Sequence, residues 1–105
     1  MQMGTQVEVK EKVKTEISLQ EPGMFKVIYV NDEKTTLEFV VESLVDIFDY
    51  DSKSAEHITM DIHSNGSATV AVLPYEIAEQ KGIEVTVAAR TAGYPLMVRV
   101  EPESV

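Results

Sequence analysis

Residues 24–37 read Met24-Phe25-Lys26-Val27-Ile28-Tyr29-Val30-Asn31-Asp32-Glu33-Lys34-Thr35-Thr36-Leu37, and the fold turns on them. The first half alternates. Phe25, Val27 and Tyr29 fall on one side, and Lys26, Ile28 and Val30 on the other. Rich in aromatic and β-branched residues, it predicts a strand buried on at least one face. The second half gathers an amide, two carboxylates and two hydroxyls before the chain turns apolar at Leu37. Thr35 with Glu38 three residues later fits a capping box, in which the hydroxyl accepts a backbone N–H and the Glu reaches back. The helix so opened carries Phe39, Val40, Leu44, Ile47 and Phe48 on one stripe, with Glu42, Asp46 and Asp49 opposite. An acidic turn on a strand-to-helix joint suits a cation, an ammonium group or solvent alone, and Asn and Asp are common in turns for local reasons.

Upstream, residues 1–23 read as a flexible N-terminal extension. Their four Glu and three Lys nearly cancel, no helical stripe forms, and Glu21-Pro22-Gly23 marks a boundary. Downstream, Asp51 or Ser52 is placed to cap a second helix, in which Ala55, Ile58, Thr59 and Ile62 recur at helical spacing. His63 falls near its end, and Asn65-Gly66 stops it. Ser67 to Leu73 alternates as a second strand. Pro74 suits the first position of a third helix, with Ile77, Ala78, Val85, Ala88 and Ala89 inward. Gly82 weakens that helix by about 1 kcal/mol relative to Ala. Gly93 ends it. Leu96, Val98 and Val100, alternating with Met97, Arg99 and Glu101, make a third strand. The predicted order is β-α-α-β-α-β. With only three strands, the helices should cover one face of an antiparallel or mixed sheet, giving a two-layer α+β domain over residues 24–105.

The chain has 105 residues, enough for one small domain. Its formal net charge is -9, from 18 acidic and 9 basic residues, which argues against a nucleic-acid partner. A basic or amine-bearing partner fits better. Cysteine is absent, so disulfides and thiolate metal sites are excluded. No apolar run approaches membrane-spanning length, and no basic-then-apolar signal pattern opens the sequence. A monomeric cytoplasmic protein without a membrane partner is expected.

Three features bear on chemistry. The acidic turn is one. His63 is another, although a histidine at a helix C-terminus can simply satisfy the last carbonyls and complement the dipole. The third is the lack of nucleophile or phosphate-loop motifs, which argues against an enzyme. The two histidines, His57 and His63, have no metal-site spacing, so neither a metal nor another cofactor is expected.

Met24 to Glu33 resembles the opening block of the ClpS adaptor family. Phe39-Val40-Val41, Ile62-His63-Ser64-Asn65-Gly66, Tyr75-Glu76-Ile77-Ala78-Glu79-Gln80-Lys81 and Tyr94-Pro95-Leu96 are similar to its later blocks, in the same order. The resemblance covers about residues 22–103. It implies a non-catalytic adaptor of the bacterial N-end rule, with the three-strand, three-helix fold of the ribosomal stalk protein's C-terminal domain. Such an adaptor binds proteins that begin with Leu, Phe, Tyr or Trp and delivers them to the AAA+ unfoldase ClpA, which feeds the ClpP peptidase. It also implies that Asn31, Asp32, Glu33 and His63 hold the substrate's α-amino group. Val30, Thr35, Leu37, Val40, Thr59, Ile62 and Leu96 would form the socket for its side chain. Glu76 and Lys81 would meet the unfoldase's N-terminal domain, and residues 1–23 would engage it during hand-over. Three positions depart from the family pattern: Glu33 stands for the usual Asp, and Leu37 and Thr59 for usual Met residues. A wider or more polar socket is the expectation from Leu37 and Thr59, and Asp32 and Glu33 compete for the contact to the amine.

Overall fold

The structure is a computed structural model, and it describes residues 23–103. The proposed tail, Gly23 apart, lies outside the described residues. Six elements follow in order: β1 Met24–Val30, α1 Leu37–Phe48, α2 Ser52–Asn65, β2 Ser67–Pro74, α3 Tyr75–Thr91 and β3 Met97–Pro102. This is the predicted α+β order. The sheet is wholly antiparallel, with strand order β2-β1-β3.

β1 is the central strand, which explains its composition. Val27, Ile28 and Tyr29 are all buried, because neighbours flank the strand on both edges. Its register sets Val100 beside Val27 and Val98 beside Tyr29, so these four share one face. Tyr29 joins Leu44, Val85 and Leu96 among the fully buried side chains. Its hydroxyl lies 2.7 Å from Ser43 Oγ, and Ser43 Oγ donates to the Val40 carbonyl at 2.8 Å. A serine hydroxyl has one proton, so Tyr29 must be the donor of the pair. Burial pushes the Tyr29 phenol far above its usual range, against the smaller lowering by Ser43.

The pairing of β1 with β2 slips between Val27 and Ile28, where Val27 meets Ala71 and Ile28 meets Thr69. Val70 is therefore the extra residue of a bulge. Its carbonyl is taken by the Tyr50 hydroxyl from the α1–α2 connection. Tyr50 can reach it because Asp49 turns the chain at φ 62°, with its N–H and that of Tyr50 returned to α1 carbonyls. Asp is one of the few residues that tolerate this left-handed conformation.

Four local expectations are corrected. The N-cap of α1 is Thr36, whose Oγ1 accepts the Phe39 N–H at 3.1 Å, and not Thr35. Thr35 is diverted because Asp32 binds both its N–H and its hydroxyl. Pro74 ends β2 and caps α3 instead of opening it. Ile77 is 45% exposed, while Gly82 is buried in its place along the helix. A Cβ on Gly82 would sit 3.4 Å from Val100 Cγ2 and 3.6 Å from Val98 Cγ1. Gly82 thus lets α3 lie close against β3, and the propensity cost is offset by packing. Leu96 precedes β3, yet it is only 1% exposed and belongs to the core.

Candidate functional site

The site begins where β1 runs out. The Asn31 N–H donates to the Gly66 carbonyl at 2.8 Å. Gly66 caps α2 at φ 90°, returning its own N–H to the Ile62 carbonyl. The end of β1 and the last turn of α2 are thereby tied together, although 35 positions separate Asn31 from Gly66 in sequence. His63 lies on that last turn, exposed, three residues before the cap. Asn31 is exposed as well.

Asp32 organises the turn that follows. Oδ1 accepts the Lys34 N–H at 2.8 Å and the Thr35 N–H at 2.7 Å, while Oδ2 accepts the Thr35 hydroxyl at 2.7 Å. This is the short-range bonding that makes Asp favoured in turns. Partial burial pushes the carboxyl up, but the three hydrogen bonds, with the Arg90 charge, outweigh it and hold the group below the usual carboxylate range. An ionised carboxylate has about four acceptor positions. Among the described residues three are filled, leaving one on Oδ2. Glu33 is exposed, and among the described residues it makes no hydrogen bond or ion pair.

The seven residues expected to form a socket divide by burial. Val40, Thr59, Ile62 and Leu96 are buried at 5%, 2%, 2% and 1% exposure. Val40, Ile62 and Leu96 share the main core cluster. Val30 and Thr35 are half-buried, and Leu37 is 43% exposed as the first residue of α1. The Thr59 hydroxyl donates to the Ala55 carbonyl at 2.7 Å. It is thus satisfied within its own helix.

Glu76 and Lys81 stand apart from this cluster on α3. Glu76 is exposed in the first turn, where a negative charge suits the helix dipole. Lys81 Nζ donates to the Ile47 carbonyl at 2.8 Å. Helix α1 has no basic residue in its own last turn, so α3 supplies the cation for that helix end.

Two residues with a positioning role, Arg90 and Tyr94, are given no role by the sequence alone. Arg90 donates from one guanidinium nitrogen to the carbonyls of Tyr94 and Leu96, at 3.0 and 2.8 Å. It holds the loop that delivers Leu96 to the core, and its charge reaches Asp32. A basic residue in the last turn before Gly93 was the available signal. Tyr94 packs edge-on against Phe39, ring centres 5.2 Å apart, closing the loop over the start of α1. Among the described residues, no three His, Asp or Glu converge as a metal site. No described helix is long and apolar enough to cross a membrane.

Fold and site together describe a small α+β domain with a polar joint between the end of β1 and the end of α2 and a buried apolar core. The family described as ATP-dependent Clp protease adaptor protein ClpS matches residues 20–99. The ATP-dependent Clp protease adapter protein ClpS of Clostridium acetobutylicum is 40% identical over 94 residues, covering 90% of this chain and 93% of that protein. Its counterpart from Campylobacter jejuni subsp. doylei is 39% identical, covering 90% and 99%. The structure of Agrobacterium tumefaciens ClpS2 bound to L-phenylalaninamide superposes with a TM-score of 0.77 at 38% identity, covering 79% of this chain and all of that one. The chain belongs to the ClpS family of Clp protease adaptors. It is an adaptor and not an enzyme.

Proposed function

We propose that this adaptor recognises the first residue of a substrate protein, with Leu, Phe, Tyr or Trp preferred, and delivers it in the cytoplasm to a ClpA-like AAA+ unfoldase. The observation that carries the reading is the ligand of the Agrobacterium relative, L-phenylalaninamide. That molecule offers a free α-amino group and one aromatic side chain, and its carboxamide stands in for the first peptide bond of a protein.

The joint between β1 and α2 supports this role. An ammonium group has three donors and needs acceptors. Asn31 offers an amide oxygen, His63 a ring nitrogen when neutral, and Asp32 its remaining Oδ2 position. Asp32 suits the contact better than Glu33. Its carboxylate is already fixed by three bonds, so binding costs it little rotamer freedom. Glu33, on a free stem, supplies field more than geometry. The substrate side chain passes Leu37 and the half-buried Val30 and Thr35 to rest against Val40, Thr59, Ile62 and Leu96. Burying a large apolar side chain there contributes about 1.5–3 kcal/mol. Glu76 and the stem of Lys81 form part of the unfoldase-facing surface, and the segment 1–23 assists hand-over.

Fluorescence anisotropy with a labelled Phe-initiated peptide and its N-acetylated twin tests the reading. Acetylation removes the charge and two donors, so affinity should fall by about 100-fold or more. Equal binding of the two peptides would refute it and favour a stalk-like interaction domain indifferent to a free amine.

A further inference from the structure

We propose that the outer edge of β3 is a self-recognition surface whose occupant is the β3 edge of a second copy of this chain. The sheet order leaves that edge unpaired among the described residues. Which groups it offers follows from one contact. The Glu103 N–H donates to the Met24 carbonyl at 2.9 Å, next in register to the Phe25–Pro102 pair. In an antiparallel ladder alternate residues bond the same neighbour. Glu101, Arg99 and Met97 therefore bond β1, and Val98, Val100 and Pro102 turn their backbone groups outward.

An antiparallel copy related by a two-fold axis at Val100 makes use of all three. Val100 meets itself, and the two copies exchange N–H···O=C bonds in both directions. Val98 lies opposite Pro102 and donates to its carbonyl. Pro102 has no N–H, and in this register it needs only to accept. Arg99 then stands opposite Glu101 at both ends, in the pairs where side chains approach closest. Within one chain these two already form an ion pair at 3.1 Å. Pairing the edges turns two ion pairs into a ring of four alternating charges. Charged side chains on an edge strand ordinarily repel another edge. Here their order is complementary to its own reverse.

The opposite face of the strand adds apolar surface. Ile83 and Val87 of α3 are 56% and 58% exposed, and with Gly82, Thr86, Val98 and Val100 they line a groove of about 330 Å³. The two-fold sets two such grooves side by side above a continuous six-stranded sheet. The other edge of the sheet differs. β2 is bulged at Val70, and Tyr50 occupies that carbonyl.

Two six-residue strands, with only Val98 and Val100 on the α3 side of each, fall short of a standard interface, so the chain expected to be monomeric should pair only reversibly and as concentration rises. Net charge of -9 per chain opposes it, and salt near 0.15 M, where the screening length is about 8 Å, relieves that repulsion while adjacent charges still attract.

Sedimentation equilibrium on the full chain, from about 10 µM to about 1 mM, tests the proposal. The weight-average mass should rise toward twice that of one chain. Arg99→Glu and Glu101→Arg should each stay single, and an equimolar mixture of the two should recover the dimer. Val100→Pro should abolish the rise as well, and the charge reversals, at side chains 51% and 42% exposed, should do so with little change in thermal unfolding. A single chain at every concentration overturns the proposal. So does a dimer indifferent to the charge reversals, or variants that fail to pair on mixing. An edge that takes up only an added extended peptide, with no self-association, overturns it too.

Discussion

Two hydrogen-bonded clusters sit at opposite ends of the same local chemistry. In the core, Tyr29 donates to Ser43, and Ser43 to the Val40 carbonyl. In the turn, Thr35 and Lys34 donate to Asp32. The core chain is closed by geometry: its donors are spent, and Tyr29 is wholly buried. The turn cluster fills three of about four carboxylate positions and leaves the last at a half-exposed surface. A closed cluster serves stability, because an unsatisfied polar group in the core costs more than the bond itself gains. An open one can serve recognition, because its fixed charge still has an acceptor position to give. The difference lies less in residue type than in whether packing leaves a lone pair within reach of a ligand.

Breaking the open cluster should have the largest effect. Asp32→Ala should weaken binding of a Phe-initiated peptide by about 10–100-fold, the worth of a hydrogen bond to a charged group, measured by anisotropy. The same residue makes stability depend on pH. Folding lowers its pKa, so its contribution is present above the usual carboxylate range and drains away as pH falls through the lowered value. Asp32→Asn should flatten the acid limb of a plot of unfolding free energy against pH. An unaltered limb would mean that the turn is not braced as described.

Breaking the closed cluster should leave binding alone. Tyr29→Phe should cost about 1–2 kcal/mol of stability, seen as a fall in Tm of roughly 5–10 °C for a domain of this size. Any comparable loss of peptide affinity would show that the two clusters are coupled. The smallest effect is expected at Glu33. With no fixed partner among the described residues, Glu33→Gln should weaken binding by only about two- to fivefold, the scale of an exposed ion pair, and the difference should shrink in high salt. A loss at Glu33 larger than at Asp32 would reverse the assignment.

Much of this arrangement is legible in the sequence alone. Alternation marked Met24 to Val30 as a strand, and Gly66 marked the end of α2. Of Asp51 and Ser52, both placed to cap α2, Asp51 is the cap, accepting the Ser54 N–H at 2.7 Å. The ordered blocks from Met24 to Leu96 gave the family. What failed did so where two neighbours competed. Thr35 and Thr36 carry the same hydroxyl, and capping-box spacing favours Thr35, but Asp32 claims Thr35 first. Ile77 was placed inward by hydrophobicity, while the tight crossing of α3 over β3 selected the face that carries Gly82.

The sequence by itself determined the element order, the turn-forming power of Asn31 to Thr36 and the absence of thiol chemistry. Each depends on interactions within a few residues, which periodicity and side-chain type encode directly. Only the tertiary structure decided that Asn31 is tied to Gly66, that Lys81 serves the end of α1, and that β1 is central with β3 at an edge of the sheet formed by the described residues. These are pairings between distant segments, fixed by which faces can be buried together, and no local pattern specifies the partner.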